Sequence, residues 1–467
     1  MFNNTAFRFL TSQSLVGAIP FLMLPIYTKK FSPEEYGAYG LSIVIISIFS
    51  GIGNMGLSVI FERNFHEYKL DYQKINYLFS IVFFVSCVLF IIWGISFFLV
   101  ENILKLLNLE SLDNKLISMG MLALFLKSIQ DYFLLFFKQN KEFRKYIQLK
   151  YIESIGSNIF TVILIFLYDL RIVSLFYGIV LVSIINVIWA SSILFYRLKN
   201  NNFKFINLFP SIRLSLPLTP RIFFGVINAK FDKYLLGILN TISGVGVYEV
   251  AQRIGNVVFL LQTSLENVFG PTVYSKMFKE NKQESSLADY LTPFFYASTG
   301  FAFLICLFTQ EIYIVFLPEE YNSGVRVTMI LCLLYATYFF GKIPQLLFAK
   351  KTYLISVITL INIFLNITLN LILISNYGIE GAAIATFISG IISGGVSFYY
   401  SQKFTPIDWD YTQLFLIIFY LFLSILIIFY LNTISLDYIY LLLIKTFLIA
   451  VYFLLGVYYK INLKLTY

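Results

Sequence analysis

The side chains best suited to bind an anion in this sequence are lysines and arginines embedded in long apolar stretches. A charged side chain in the hydrocarbon of a membrane costs about 2.5–3.5 kcal/mol on insertion scales, so it normally faces a bundle interior or a water-filled cavity. In such a cavity arginine binds a phosphate group bidentately, whereas lysine acts as a point charge. The candidate residues of a cationic cavity are Arg221, Lys230, Arg253, Lys342 and Lys127.

Two of these cations have an acidic residue one helical turn away, which leaves a second interpretation open. Lys127 and Asp131 are four residues apart, and so are Glu249 and Arg253. This spacing places both charges on one helix face, where they can neutralise each other instead of meeting a ligand.

The remaining cations are less easily explained by pairing along their own helix. Lys230 and Asp232 are two residues apart and point to different faces, while Arg221 has no acidic neighbour within two turns. Arg221 is therefore the strongest candidate for the cavity. The acidic residues that serve either ion coupling or ion pairing are Asp131, Asp232 and Glu249.

Further polar side chains form two helix stripes at i, i+4, i+8 spacing. They could line a cavity wall and bind hydroxyl groups, or they could hydrogen-bond between helices, which is worth about 0.6 kcal/mol per contact. The stripes are Glu153, Ser157 and Thr161 in one helix and Asn362, Asn366 and Asn370 in another.

Composition identifies the elements that must position these residues as membrane helices. Hydrophobic residues make up 59% of the 467-residue chain and charged residues 13%, where a soluble domain carries roughly 25%. The mean hydropathy is +0.80. Apolar runs of about 20 residues recur throughout, which predicts an all-α integral membrane protein with about fourteen spans. The predicted spans are 9–29, 39–61, 77–100, 115–137, 149–168, 172–196, 212–238, 244–270, 290–310, 326–349, 353–375, 381–400, 411–431 and 436–459.

Several classes of chemistry find no support in the sequence. It contains no Walker A loop, dinucleotide-binding glycine motif, nucleophile elbow or zinc motif. His66 is the only histidine, and the three cysteines lie in apolar spans, so neither a metal site nor a cofactor is predicted. The net charge of +9 does not indicate nucleic acid, because most of it lies in loops on one membrane side. No cleavable signal peptide is recognised at the start of the chain, so the first span is expected to remain.

The loop charges predict the orientation. Lysine and arginine are concentrated in alternate loops, and cytoplasmic loops carry this excess. Both termini are therefore predicted to be cytoplasmic. The opposite loops hold only Lys29, Lys30, Lys105, Lys115, Arg171 and Arg326.

An internal repeat suggests how the spans are grouped. Shifting the chain by 209 residues brings Gly37 and Tyr39 onto Gly246 and Tyr248, and Glu153 onto Asn362. We expect two six-helix lobes in a pseudo-twofold arrangement, 1–205 and 206–405, followed by a C-terminal helix pair, 406–467. Lobes of six spans share one orientation, which places the predicted axis along the membrane normal and the substrate path between the halves.

Three segments resemble the O-antigen and exopolysaccharide flippases. KFSPEEYGAY (30–39) is similar to the first loop of that family, KFDKYLLG (230–237) with VGVY (245–248) to its seventh and eighth spans, and NYGIEGAAIAT (376–386) to its twelfth. The family belongs to the superfamily that also holds lipid II flippases and multidrug exporters. The resemblance implies a protein of the bacterial cytoplasmic (inner) membrane that moves undecaprenyl-diphosphate-linked oligosaccharide from the cytoplasmic to the outer leaflet by alternating access.

The same resemblance implies the partners, and two rival functions stay open. Membrane lipid and the lipid-linked glycan are expected partners, with a polysaccharide polymerase and a chain-length regulator as further candidates and no nucleic acid. One rival is a small-solute or drug exporter of the same fold, which would have a smaller and more acidic cavity. The other is a membrane polysaccharide polymerase, an enzyme. The short external loops disfavour it, so we predict that the chain is not an enzyme.

Overall fold

The computed structural model describes residues 16–106, 109, 112–198, 203–219, 225, 230–278, 287–431, 438–459 and 461. Within these ranges the regular structure is helical throughout, which confirms the predicted all-α class. The helices are α1 Leu24–Lys30, α2 Pro33–Asn54, α3 Leu57–Asn64, α4 Asp71–Leu106, α5 Asn114–Gln139, α6 Phe143–Tyr151, α7 Ser157–Tyr168, α8 Ser174–Arg197, α9 Phe209–Ser215, α10 Phe231–Leu239, α11 Ile242–Phe278, α12 Leu287–Leu307, α13 Thr309–Phe316, α14 Gly324–Thr337, α15 Gln345–Phe348, α16 Thr352–Phe404, α17 Tyr411–Leu431 and α18 Tyr438–Tyr458. A π-helical segment, Ile152–Gly156, joins α6 to α7.

Ten helices in the described part of the chain are long and apolar enough to cross a membrane. One of them, Tyr353–Phe404, is 52 residues long and covers the predicted spans eleven and twelve. The predicted seventh span, 212–238, contains α9, a 3₁₀ turn at Leu216–Leu218 that includes Pro217, and α10. Positions 220–224 and 226–229 lie outside the described residues, and the total of fourteen spans stays a prediction.

The chain divides into two compact units. The N-terminal unit holds residues 30–246 with 16–23, and the C-terminal unit holds 247–461 with 24–29. The predicted lobe boundary was residue 205, and the predicted division into 1–205, 206–405 and 406–467 stays a proposal.

Helix α5 forms the centre of the N-terminal unit, where it packs against α2, α4 and α8. Aromatic side chains fill this core: Phe133, Phe136 and Tyr77 are each at most 1% exposed. Burying these rings stabilises the helix contacts through van der Waals packing. Inside a membrane this packing matters more than the hydrophobic effect, because the lipid is as apolar as the side chains.

In the C-terminal unit α12 packs against α14, α17 and α18. Two tyrosines fix α18 onto α12 through reciprocal hydrogen bonds: the hydroxyl of Tyr296 donates to the carbonyl of Tyr452 (2.7 Å), and the hydroxyl of Tyr452 donates to the carbonyl of Tyr296 (2.8 Å). Their rings stack at a centroid distance of 4.6 Å. The predicted terminal helix is therefore held by polar bonds as well as by apolar contact.

Helix α2 begins six residues before the predicted start of the second span at residue 39. Ser32 and Glu35 form a capping box: Ser32 Oγ accepts from the Glu35 amide (3.3 Å), and Glu35 accepts from the Ser32 amide (3.1 Å). Pro33 occupies the first helical position, where its missing amide proton costs nothing. The predicted start was wrong because hydropathy marks the apolar core of a span and not its cap.

The junctions Tyr168-Asp169-Leu170 and Tyr377-Gly378-Ile379, which coincide under the 209-residue shift, each contain a residue with a positive φ. Asp169 ends α7 with a φ of 46°, and Gly378, 209 positions later, interrupts α16 with a φ of 54°. Asp169, with a ψ of 32°, lies in the left-handed helical region, which aspartate tolerates, whereas Gly378, with a ψ of −128°, lies in a region that favours glycine. Both junctions turn the chain between two predicted spans, as the repeat requires.

The repeat-related glycines Gly37 and Gly246 lie at a close helix crossing. A Cβ atom built on Gly37 would overlap the carbonyl oxygen of Ile242, and one built on Gly246 would overlap the carbonyl oxygen of Pro33. The contact is reciprocal under the 209-residue shift, since Pro33 corresponds to Ile242. Small residues allow membrane helices to approach this closely.

We expect Gly37→Ala to destabilise the protein, by about 1–3 kcal/mol or more, because the added methyl group meets backbone that cannot rotate away. Gly94→Ala is the matched control, since nothing lies within 4 Å of a Cβ at that helical position. That change should stabilise by about 0.5–1 kcal/mol through helix propensity. Thermal unfolding of the detergent-solubilised variants measures both shifts, and equal stability of the two would contradict the close contact.

Candidate functional site

One carboxylate in the N-terminal unit binds two lysines at once. Glu153 lies 3.1 Å from Lys127 Nζ through one oxygen and 2.8 Å from Lys150 Nζ through the other. Lys127 remains 39% exposed, Lys150 28% and Glu153 17%. We call these three residues the Glu153 bridge. Its charges are paired but still accessible, which suits exchange with a ligand better than a sealed ion pair would.

Three helical segments supply the bridge. Lys127 lies on α5, Lys150 lies on α6, and Glu153 lies in the π segment that follows α6. A π segment adds one residue to the helix and so redirects the side chains on either side of it; such segments are frequent at functional sites. The hydroxyl of Ser157 donates to the Glu153 carbonyl (2.6 Å), which occupies a backbone acceptor at the end of this segment.

Asp131 lies one turn beyond Lys127 on α5 and experiences the charges of Lys127, Glu153 and Lys150. Within the described residues, however, the ion pair of Lys127 is made with Glu153 and not with Asp131. The local pairing that the i, i+4 spacing offered is therefore replaced by a pairing between helices. Asp131 and Glu153 together balance the two lysines, so an added anion has to compete with a carboxylate.

Sequence reasoning missed Lys150 as a site residue because it was counted among the cytoplasmic loop charges. The structure places it within Phe143–Tyr168, a helical stretch apolar enough to span a membrane. Its spacing of three from Glu153 was a usable signal for one helix face. The predicted fifth span began only at residue 149, so residues 143–148 were not recognised as part of the helix.

The other predicted cations are distributed over both units. Lys230 Nζ donates to Ser47 Oγ (2.8 Å) in the N-terminal unit. In the C-terminal unit Arg253 Nε lies 3.2 Å from Glu249, so the i, i+4 pair does form. Arg221 lies outside the described residues. Lys342 ends the 3₁₀ turn Tyr338–Lys342, and its side chain is likewise outside them.

Asp232 is 6% exposed and accepts from the Lys233 amide through Oδ1 (2.8 Å). This geometry resembles a helix-start carboxylate, because Asp232 lies in the first turn of α10. Its role in ion coupling stays a prediction, as does that of Glu249.

The asparagine stripe hydrogen-bonds across the two arms of α16. Asn362 Nδ2 donates to Ser393 Oγ (2.8 Å), and Asn366 Nδ2 lies 3.3 Å from both Thr386 Oγ1 and Ser389 Oγ. Asn370 Nδ2 donates to Asn366 Oδ1 (3.0 Å). These contacts are the interhelical alternative that the sequence left open. A role in a cavity wall would have to use the remaining hydrogen-bonding capacity of these amides.

A second buried pair, in the C-terminal unit, shows what a purely structural ion pair looks like in this protein. Lys445 on α18 is fully buried, and its Nζ lies 2.6 and 2.8 Å from the two oxygens of Glu311 on α13. The ammonium also lies 5.7 Å from the ring centre of Phe308. Unlike the Glu153 bridge, the pair leaves its lysine no contact with solvent, so it holds α18 in place.

We expect Lys445→Met to destabilise the protein by about 3–5 kcal/mol, because it leaves the Glu311 carboxylate buried without a partner. Adding Glu311→Gln should recover much of this loss, since both charges are then absent. Lys105→Met is the control: its pair with Glu101 is more than half exposed and should contribute at most about 1 kcal/mol. The stability of the variants is compared by heating them in detergent and following the loss of the monodisperse peak in size-exclusion chromatography. A double variant no more stable than Lys445→Met would contradict the prediction.

Comparisons with known proteins agree with this architecture. The family model described as "Polysaccharide biosynthesis protein" matches residues 4–273. Over 196 residues the chain is 29% identical to the probable low-salt glycan biosynthesis flippase Agl15 of Haloferax volcanii. That match spans 41% of this chain and 41% of the relative, so less than half of the relative's length is covered.

Among solved structures, the lipid II flippase MurJ in an inward closed conformation has a TM-score of 0.69 at 18% identity, and the match covers 98% of both chains. An inward-facing multidrug resistance transporter of the MATE family and MOP superfamily has a TM-score of 0.61 at 13% identity, covering 83% of this chain and 94% of that one. At these identities the likeness establishes the fold alone, and that fold is the one expected from the sequence.

Proposed function

We propose, because this chain belongs to the polysaccharide biosynthesis protein family, that it is a flippase for a lipid-linked oligosaccharide. More specifically, the proposed cargo is an O-antigen or exopolysaccharide repeat unit on undecaprenyl diphosphate, carried from the cytoplasmic to the outer leaflet by alternating access. The proposed location is the bacterial inner membrane, with both termini in the cytoplasm. The names of Agl15 and MurJ, a glycan biosynthesis flippase and a lipid II flippase, are consistent with this proposal.

The observation that carries the proposal is the Glu153 bridge. A diphosphate needs cations with accessible surface, and Lys127 and Lys150, with side chains 39% and 28% exposed, offer two ammonium groups around one carboxylate. In the proposed step the diphosphate takes the place of Glu153 between the lysines. Two point charges suit a diphosphate because its negative charge is spread over several oxygens. Glu153 and Asp131 together balance the two lysines of the empty site, so that the cost of burying two uncompensated ammonium groups is avoided.

A drug exporter of the same fold is the second candidate, favoured by the likeness to the multidrug transporter. The charge balance of the described site argues against a cationic drug. Both acids of the N-terminal cluster, Asp131 and Glu153, are already opposed by lysines, so a cation would find no excess negative charge. Asp131 is our candidate for ion coupling, and a polymerase and a chain-length regulator are our candidate protein partners.

We expect Lys127→Gln and Lys150→Gln each to reduce surface glycan at normal protein levels. A charge-assisted hydrogen bond is worth about 1.5–3 kcal/mol, roughly a tenfold to hundredfold loss of affinity. The assay is surface glycan in a flippase-deficient strain, normalised to protein in the membrane. Lys138→Gln is the matched control on the same helix, because Lys138 is 50% exposed and its ion pair within the described residues is with Glu62 at 3.4 Å.

The double variant Lys127→Gln with Glu153→Gln separates cargo binding from mutual neutralisation. If Lys127 serves only to neutralise Glu153, removing both charges should restore activity lost in Lys127→Gln. We expect no restoration, because the diphosphate still lacks a cation. Recovery to wild-type glycan would remove Lys127 from the cargo site and overturn the proposal that the bridge binds diphosphate.

The proposed orientation has its own test. Cysteines placed at Lys141 and Asp169, in a chain whose native cysteines are replaced, should differ in reaction with a membrane-impermeant maleimide added to whole cells. Both positions are exposed and lie at opposite ends of the helical stretch from α6 to α7. We expect the cysteine at position 169 to react and the one at 141 to react only after the cells are opened. The reverse pattern would invert the topology.

A further inference from the structure

A pocket in the C-terminal unit is not used by any step described above. Its volume is about 480 Å³, which falls in the range of roughly 300–1,000 Å³ typical of small-molecule sites. Helices α13, α14, α16 and α17 and the turn before α14 surround it. The polar residues of its lining are Gln310, Asn322, Ser323, Arg326 and Glu380, and the apolar ones are Ile314, Val325, Met329 and Phe429. We call it the Arg326 pocket.

The charged residues of the pocket are positioned and balanced. Arg326 Nη1 lies 3.3 Å from Glu380 Oε1, and its guanidinium carbon lies 5.0 Å from the ring centre of Phe429. Stacking on the ring limits the freedom of the arginine, so less entropy is lost when it donates to a ligand. The pair carries no net charge. An anionic ligand would have to displace Glu380 from Arg326, and a cationic ligand would have to displace Arg326 from Glu380.

The uncharged groups of the pocket also point to a ligand that donates as well as accepts hydrogen bonds. Gln310 Oε1 is buried, and no hydrogen-bond donor reaches it within the described chain. An unpaired buried acceptor costs about 1–3 kcal/mol, and a rotation of the Gln310 amide toward the pocket would let a donor on a ligand recover it. A phosphate group at neutral pH offers mainly acceptors. A sugar hydroxyl offers both, and amide, guanidinium and carboxylate groups are suited to bind it.

We propose that the Arg326 pocket binds one sugar residue of the glycan. The apolar side chains would face the carbon-bound hydrogens of the sugar ring, and the polar ones its hydroxyl groups. This inference rests on the proposed flippase function, and it assigns the glycan a contact separate from the diphosphate at the Glu153 bridge. With the proposed orientation, Arg326 lies in the first turn of α14 at the external end of this helix, so the pocket receives the sugar on the outer side of the membrane.

Photocrosslinking in cells that make the glycan tests the assignment. Benzoylphenylalanine replaces Ile314, which lines the pocket and is 64% exposed, or Phe316, two residues further along α13 and 45% exposed. Side chains two residues apart on a helix point to different faces, so Phe316 is a matched control outside the pocket lining. Glycan carrying a radiolabelled sugar is the probe. We expect the yield of labelled adduct at position 314 to be at least about tenfold higher than at position 316, because only position 314 contacts the bound sugar.

A second variant links the adduct to the polar groups of the pocket. Gln310→Leu, combined with the crosslinker at position 314, removes an amide of the lining and should reduce the adduct about threefold to tenfold, the effect of one lost hydrogen bond. An adduct that is equal at positions 314 and 316, or unchanged by Gln310→Leu, reflects random proximity and overturns the proposal. Asn322 is the second crosslinking position, and absence of an adduct at both 314 and 322 also overturns it.

Labels and complementation separate the remaining outcomes. An adduct that carries both sugar and polyprenyl label identifies lipid-linked glycan, and one with sugar label alone identifies released glycan; both support the sugar site. Polyprenyl label without sugar overturns it in favour of a lipid site. If the chain restores surface glycan in a flippase-deficient strain but yields no adduct, only the pocket is rejected. If it restores no glycan, the proposed flippase function itself fails.

Discussion

The pairing of Glu153 with Lys127 and Lys150 shows the constraint on which the rest of the N-terminal unit depends. A single charge in hydrocarbon is costly, so each one fixes the position of a partner on a neighbouring helix. The ion pair between α5 and the π segment requires these two elements to lie side by side, and the aromatic core around Phe133 and Phe136 fills the space around α5. Neutralisation of charge therefore limits how these helices can pack.

Two lysines are neutralised by a carboxylate in different ways, and the difference distinguishes an ion pair that only holds helices together from one that can bind a ligand. Lys445 is sealed against Glu311 with no exposed surface, while Lys127 keeps 39% of its side chain accessible although it is also paired. A sealed pair contributes a fixed helix position and cannot respond to a ligand. In an accessible pair, an incoming anion can replace the carboxylate as the partner of the lysine. The accessible surface of the lysine, not the presence of an ion pair, thus distinguishes the candidate binding site.

The sequence predicted the features that depend on local chemistry and missed those that depend on packing. Composition was sufficient for the all-α membrane class, whereas the 209-residue repeat stays a prediction. The partner of Lys127 was not predictable in this way. Helix spacing offered Asp131, whereas the tertiary structure brings Glu153 closer, and no pattern within one helix reports on its neighbour. Lys150 was missed because hydropathy placed the helix start too late.

The repeat itself explains why the two units differ in their chemistry. Positions related by 209 residues carry Glu153 and Ser157 in the first copy and Asn362 and Asn366 in the second. In the first copy Glu153 of the stripe forms ion pairs with Lys127 on α5 and Lys150 on α6. In the second the amides bond to hydroxyls on the other arm of α16, without any charge at these positions. The helix faces related by the 209-residue shift thus carry an ion-paired cluster in one unit and an uncharged hairpin contact in the other. The anionic cargo proposed above is accordingly expected to contact the two halves differently.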